Sequence, residues 1–74
     1  MPKLPPISGK KLIHVLMHLG FETKRQSGSH VILEHADGRI TVVPVHGNKG
    51  MPPGTLKAIL KDCEITSNDF MELL

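Results

Sequence analysis

The chain has 74 residues, 39% of them hydrophobic, and a formal net charge of +2 with its five histidines neutral. So short a chain buries only roughly 60% of the surface its unfolded form would expose, which fits one small domain over residues 1–74 and excludes a large enclosed cofactor pocket. Any catalysis must use a shallow groove or an open sheet face, on a substrate larger than the site. The mildly basic balance permits contact with an anionic polymer without demanding it. With no Trp or Tyr, and Phe21 and Phe70 as the aromatic residues, the core must be aliphatic. Cys63 is the single cysteine, so no intramolecular disulfide exists and a reducing compartment fits. MPKLPPISGK lacks the apolar run of a signal peptide and no stretch approaches transmembrane length. The expectation is a soluble cytoplasmic protein without a membrane partner.

In chain order, Met1 to Ile7 carries three prolines and reads as an extended lead-in. Ser8 is placed to cap a helix of about Lys10 to Leu19, whose Leu12, Val15, Leu16 and Leu19 form one apolar stripe. Lys11, His14 and His18 fall on the opposite face, and Gly20 stands where a left-handed C-terminal cap is expected. Three extended segments follow: Phe21 to Gln26, Ser29 to Glu34 and Arg39 to Pro44. Ser27-Gly28 and Ala36-Asp37-Gly38 mark the turns between them, which predicts an antiparallel meander. Pro44 closes the last strand because it cannot donate to a ladder. Val45 to Pro53 is a loop, and Pro53 or Gly54 opens a second helix with Leu56, Ile59, Leu60 and Cys63 inward. Thr66 caps a short terminal helix holding Phe70, Leu73 and Leu74.

The resulting order is α-β-β-β-α with a final helical turn, an α+β fold. Two amphipathic helices must cover one face of a three-stranded antiparallel sheet and leave the other open. That layout resembles the double-stranded-RNA-binding domain, a likeness of fold and not of function.

Few side chains are candidates for chemistry. His14 and His18 have the i, i+4 spacing of a metal clamp, but no third ligand lies near and Lys11 repels a cation. They read as a solvated face. Cys63 lies on the apolar stripe of the second helix and reads as core. Gly47, Gly50 and Gly54 match no phosphate-loop spacing. His30 stands at the start of the central strand, just after Gly28-Ser29, with Lys24 and Arg25 on the preceding strand. Histidine can give and take protons near neutrality, cations can hold a phosphodiester, and RNA brings its own nucleophile in the 2′-hydroxyl. If Val31 and Leu33 point to the helices, alternation puts His30 on the open face. Taken alone, a histidine at a strand start is most simply a half-exposed packing residue. His46 and Lys49, in the long loop, are further candidates for substrate contact, while His35 reads as a solvated turn residue. The lack of spare aromatics argues against a sheet that stacks single-stranded bases.

Five segments in order and spacing carry a resemblance. They are Leu19-Gly20-Phe21, Gly28-Ser29-His30, HADGR at His35 to Arg39, TVVPVH at Thr41 to His46, and GTLKAIL at Gly54 to Leu60. Together, over about residues 7 to 72, the chain resembles the HicA family of bacterial toxin ribonucleases. The resemblance implies a dsRBD-like fold, cleavage of mRNA, and a HicB-type antitoxin that binds and blocks the toxin. It implies a catalytic histidine at the Gly-Ser-His motif, which is His30. Lys24, Arg25, Ser29 and Lys49 are then the expected substrate contacts, with His46 a candidate contributor. No cofactor or metal is expected, and the chain is expected to be a monomer when free and a hetero-oligomer with its antitoxin. Two departures stand out. Val45 occupies a position that is often basic in relatives, and Asp62-Cys63-Glu64 replaces a more usual small or glycine-containing helix end.

Three functions compete: a metal-independent endoribonuclease using His30, a non-catalytic RNA-binding module of the same fold, and a protein-interaction subunit docking through its open sheet face.

Overall fold

The computed structural model describes residues 6–47 and 49–74, so Met1 to Pro5 of the expected lead-in lie outside the described residues. Helix α1 spans Gly9–His18. It starts where the sequence places it: the Ser8 hydroxyl accepts the Lys11 N–H at 3.2 Å, satisfying one of the first-turn donors that no helical carbonyl can reach. Leu12, Val15 and Leu16 are buried, while Lys11, His14 and His18 stay exposed. Leu19 ends the helix, and Gly20 follows at φ +99, the left-handed cap that glycine adopts without strain.

Strands β1 (Phe21–Ser27), β2 (His30–His35) and β3 (Ile40–Pro44) pair antiparallel in the order β1-β2-β3. Across β1 and β2, Thr23 opposes Leu33 and Arg25 opposes Ile32, so Lys24 is the extra residue of a bulge. Register fixes the faces. Val31 and Leu33 on β2, with their partners Val43 and Thr41 on β3, point to the helices and are buried. The alternate set, Ile32, Ile40 and Val42, lies on the open face, where Ile40 is 54% and Val42 43% exposed.

Helix α2 (Pro53–Asp62) packs on β3, and α1 packs on β1 and β3. Leu56, Ile59 and Leu60 of α2 are buried, as is Cys63 just beyond it. Phe21, Leu12, Leu16, Leu33, Val43, Leu56 and Phe70 are essentially closed to solvent. Each such side chain contributes roughly 1.5–3 kcal/mol relative to exposure, which is what binds two ten-residue helices to so small a sheet. Thr66 caps α3 (Ser67–Glu72) by accepting the Asp69 N–H at 3.1 Å. Leu73 and Leu74, expected within this terminal helix, lie beyond its last residue. They are 43% and 48% exposed, because α3 ends at Glu72 and its six residues can aim only Phe70 inward.

Candidate active site

The β1–β2 connection is a two-residue hairpin, with Ser27 paired to His30 and Gly28-Ser29 at the tip. Gly28 has φ +60, and Ser29 is not among the residues of positive φ. That is the type II′ pattern, whose twist matches that of the strands it joins. A side chain at Gly28 would touch nothing within 4 Å, so the backbone angle, and not crowding, calls for glycine here. The turn sets His30 at the first position of the central strand. There it opposes Ser27 on one side and Pro44 on the other, exposed, and on the face away from the buried Val31 and Leu33.

Half-buried Ser29 contributes through its backbone: its carbonyl accepts the Val45 N–H at 2.7 Å, extending the β2–β3 ladder past Pro44. The chain leaving β3 is thereby held beside the hairpin. Its other end is fastened too, by a Ser8–Gly50 bridge and by the Met51 N–H donating to the Ile7 carbonyl at 2.9 Å. His46 and Lys49 ride on this doubly anchored loop, exposed, and line a pocket of about 410 Å³ with Pro44 and Thr55. Lys24 and Arg25 line a different groove, of about 480 Å³, against α1. Lys24 donates to Glu22 at 3.3 Å, an exposed pair worth little and easily exchanged for a phosphate. The candidates therefore do not share one cavity. Lys24 and Arg25 belong to β1 and His46 and Lys49 follow β3, the two strands on either side of β2.

Gly9 had no role in the sequence reading, yet it fixes this end of the molecule. A Cβ there would collide with the Pro44 carbonyl, so the first turn of α1 sits directly against the residue that opposes His30. Since Ser8 already supplies the cap, a glycine just inside the helix was the available clue to a close approach.

The opposite end of β2 holds a network that sequence reasoning also missed. His35 is half-buried, with Nε2 at 3.0 Å from the Leu19 carbonyl and Nδ1 accepting the Asp37 N–H at 3.1 Å. A carbonyl only accepts, so Nε2 carries the proton in this arrangement. The ring also meets Phe21 edge-on at 5.1 Å. Arg39 binds Asp37 through Nε, donates from Nη1 to the Cys63 carbonyl at 2.6 Å, and lies over the Phe21 ring. The Arg39 side chain and, after it, the Arg39 backbone N–H hold the Asp37 carboxyl below its usual range. Nearby, the Thr41 hydroxyl donates to Asp62 at 3.2 Å. Aside from the Asp-Gly turn itself, nothing in the sequence marks these residues as mutual partners.

The remaining candidates fall where their chemistry is weak. Burial, with the neighbouring Asp62 charge, pushes the Cys63 thiol up to about 11, so it is not poised as a nucleophile. His14 and His18 line a surface hollow with Met17, and no three His, Cys, Asp or Glu side chains are grouped to hold a metal among the described residues.

A family model described as the HicA toxin of bacterial toxin–antitoxin systems matches residues 9–65. The chain belongs to the HicA toxin family. The match runs from the first residue of α1 to just beyond α2, taking in all three strands and every candidate residue, and α3 follows it. No curated protein matches the chain. Membership in HicA makes this one half of a toxin–antitoxin pair and so implies an antitoxin partner. No helix of the described residues is long and apolar enough to cross a membrane.

Proposed function

We propose that this HicA chain is a metal-independent endoribonuclease that cleaves mRNA in the cytoplasm and acts as a single domain. The observation that carries the reading is the placement of His30: exposed at the start of the central strand just after a hairpin tip, with Lys24 and Arg25 on the neighbouring strand β1 and His46 and Lys49 on the loop that follows β3. His30 takes the proton of a ribose 2′-hydroxyl, the 2′-oxygen bonds to phosphorus, and the bond to the 5′-oxygen of the next nucleotide breaks. The leaving oxygen is protonated by solvent or by His46, and a 2′,3′-cyclic phosphate remains. Lys24, Arg25 and Lys49 hold the phosphodiester, and Ser29 positions His30 through the hairpin. A positioned acid–base group of this kind contributes typically 10²–10⁴-fold in rate.

A HicB-type antitoxin is the proposed partner, joining a toxin that is monomeric when free. Exposed Ile40 and Val42 lie on the same sheet face as His30. A protein that buried those apolar side chains would also shut the histidine from RNA.

The test is cleavage of a long single-stranded RNA in EDTA by the wild type and by His30→Ala. Cleavage by the wild type alone supports the reading. Equal cleavage by both removes His30 from the site, and no cleavage by either favours a binding module.

A further inference from the structure

The groove between α1 and β1 contains a cation that no part of the His30 reading uses. Lys10, on the first turn of α1, lines this groove of about 480 Å³ together with Lys24 and Arg25 of β1. Between them the surface is apolar, made by Ile13, Val31 and Val45, with Thr23 and Gln26 as polar flanks. Lys24 is shared with Glu22, whereas Lys10 and Arg25 make no ion pair among the described residues. An apolar floor rimmed by three cations, in a volume suited to a small-molecule ligand, has the chemistry of a nucleotide site. The floor takes a base or ribose and the rim takes phosphate oxygens.

The groove also leads to the right place. Gln26 and Val31 oppose each other in the register, and the next pair is Ser27 and His30. One step along a strand is about 3.3 Å and reverses the face, so the groove lies one register pair from His30, on the helix-packed side of the same hairpin. Val45, which lines the same groove, is the residue whose N–H is held by Ser29. The groove, the hairpin tip and the start of the His46 loop meet at this point.

We infer that this groove seats a single-stranded RNA segment beside the scissile bond, and that Lys10 is a phosphate-binding residue of that path. This rests on the ribonuclease reading for its meaning, but its test does not require cleavage. A peptide strand adding to the β1 edge is less well matched, because the bulge at Lys24 interrupts the ladder such a strand would extend.

The experiment measures binding of a fluorescently labelled single-stranded RNA to the His30→Ala protein in EDTA, over a salt series. Lys10→Gln is compared with Lys57→Gln, an exposed α2 lysine outside the groove. Lys10→Gln is expected to weaken binding about 3- to 10-fold and to flatten the log–log salt slope by about 0.7, the change for one lost phosphate contact on a single strand. Lys57→Gln is expected to change neither. Equal affinities and slopes for the two variants overturn the inference and leave the groove to a polypeptide. Circular dichroism melts of both variants check the fold. If Lys10→Gln weakens binding while the wild type cleaves no RNA, the groove stands and the nuclease reading falls.

Discussion

Strand β2 begins and ends with a histidine, and the two ends are built in opposite ways. His35 is half-buried, bonded through both ring nitrogens and stacked edge-on against Phe21. His30 stands exposed, outside every side-chain hydrogen bond and ion pair of the described residues. One ring has its donor and acceptor capacity used by the fold; the other has all of it available. In so small a chain this division is instructive. The network around His35 ties the end of α1, the β2–β3 turn and the end of α2 together, while the hairpin at the other end presents a solvated ring that no fold contact occupies.

The comparison predicts opposite signatures for the same substitution. His30→Ala is expected to lower RNA cleavage by at least 100-fold with an unchanged melting temperature. His35→Ala is expected to leave cleavage by the folded protein close to wild type and to cost about 1–2 kcal/mol of stability through the lost hydrogen bonds and ring contact. A domain of this size melts roughly 4–8 °C lower for each kcal/mol. Measuring both quantities on both variants would break the comparison if either variant changed the two together.

Arg39 sharpens the structural half. Its guanidinium serves Asp37, the Cys63 carbonyl beyond α2 and the face of Phe21 at once. A lysine keeps the charge but lacks the rigid planar fork that reaches several partners together. Arg39→Lys is therefore expected to melt below the wild type and above Arg39→Ala, with RNA cleavage per folded molecule unaffected. Melting temperatures that coincide for wild type and Arg39→Lys would show that charge alone suffices there.

The sequence made the local elements legible, because Ser8, Gly20, Asp37-Gly38 and Thr66 each state a cap or turn within a few residues. The helix stripes showed which helix sides face inward, whereas the continuous Val31-Ile32-Leu33 run left the face of His30 conditional until register and burial set Val31 and Leu33 inward. Cross-chain partnerships were not legible. Arg39 meets Cys63, and Gly9 meets the Pro44 carbonyl, only after the layers are assembled. His35 looked like a solvated turn residue because its partners, Leu19 and Phe21, are far from it in sequence. The spread of the candidate contacts into two cavities was equally hidden, since Lys24 and Arg25 share theirs with Lys10 and Ile13 of α1, and His46 and Lys49 share theirs with Thr55 of α2, only after the helices pack.

The smallest expected effect comes from the acid end of the same network. Because the folded-state pKa of Asp37 lies below its ordinary value of 3.8, its ionised form is favoured by folding. The stability it contributes is complete above pH 3.8 and is lost as the pH falls through the lower folded value. The cause is first the bond to the Arg39 guanidinium, then the Arg39 backbone N–H. The pair is solvent-accessible, so salt screens it and the contribution is small. Asp37→Asn keeps an oxygen for the Arg39 N–H and removes the titration. The melting-temperature difference between wild type and Asp37→Asn should therefore be largest near neutral pH and low salt, and should shrink as the pH falls below the ordinary carboxylate value of 3.8. A difference that stays constant over that range would mean that Asp37 serves the turn through geometry, and that its charge contributes nothing to the contrast between the two ends of β2.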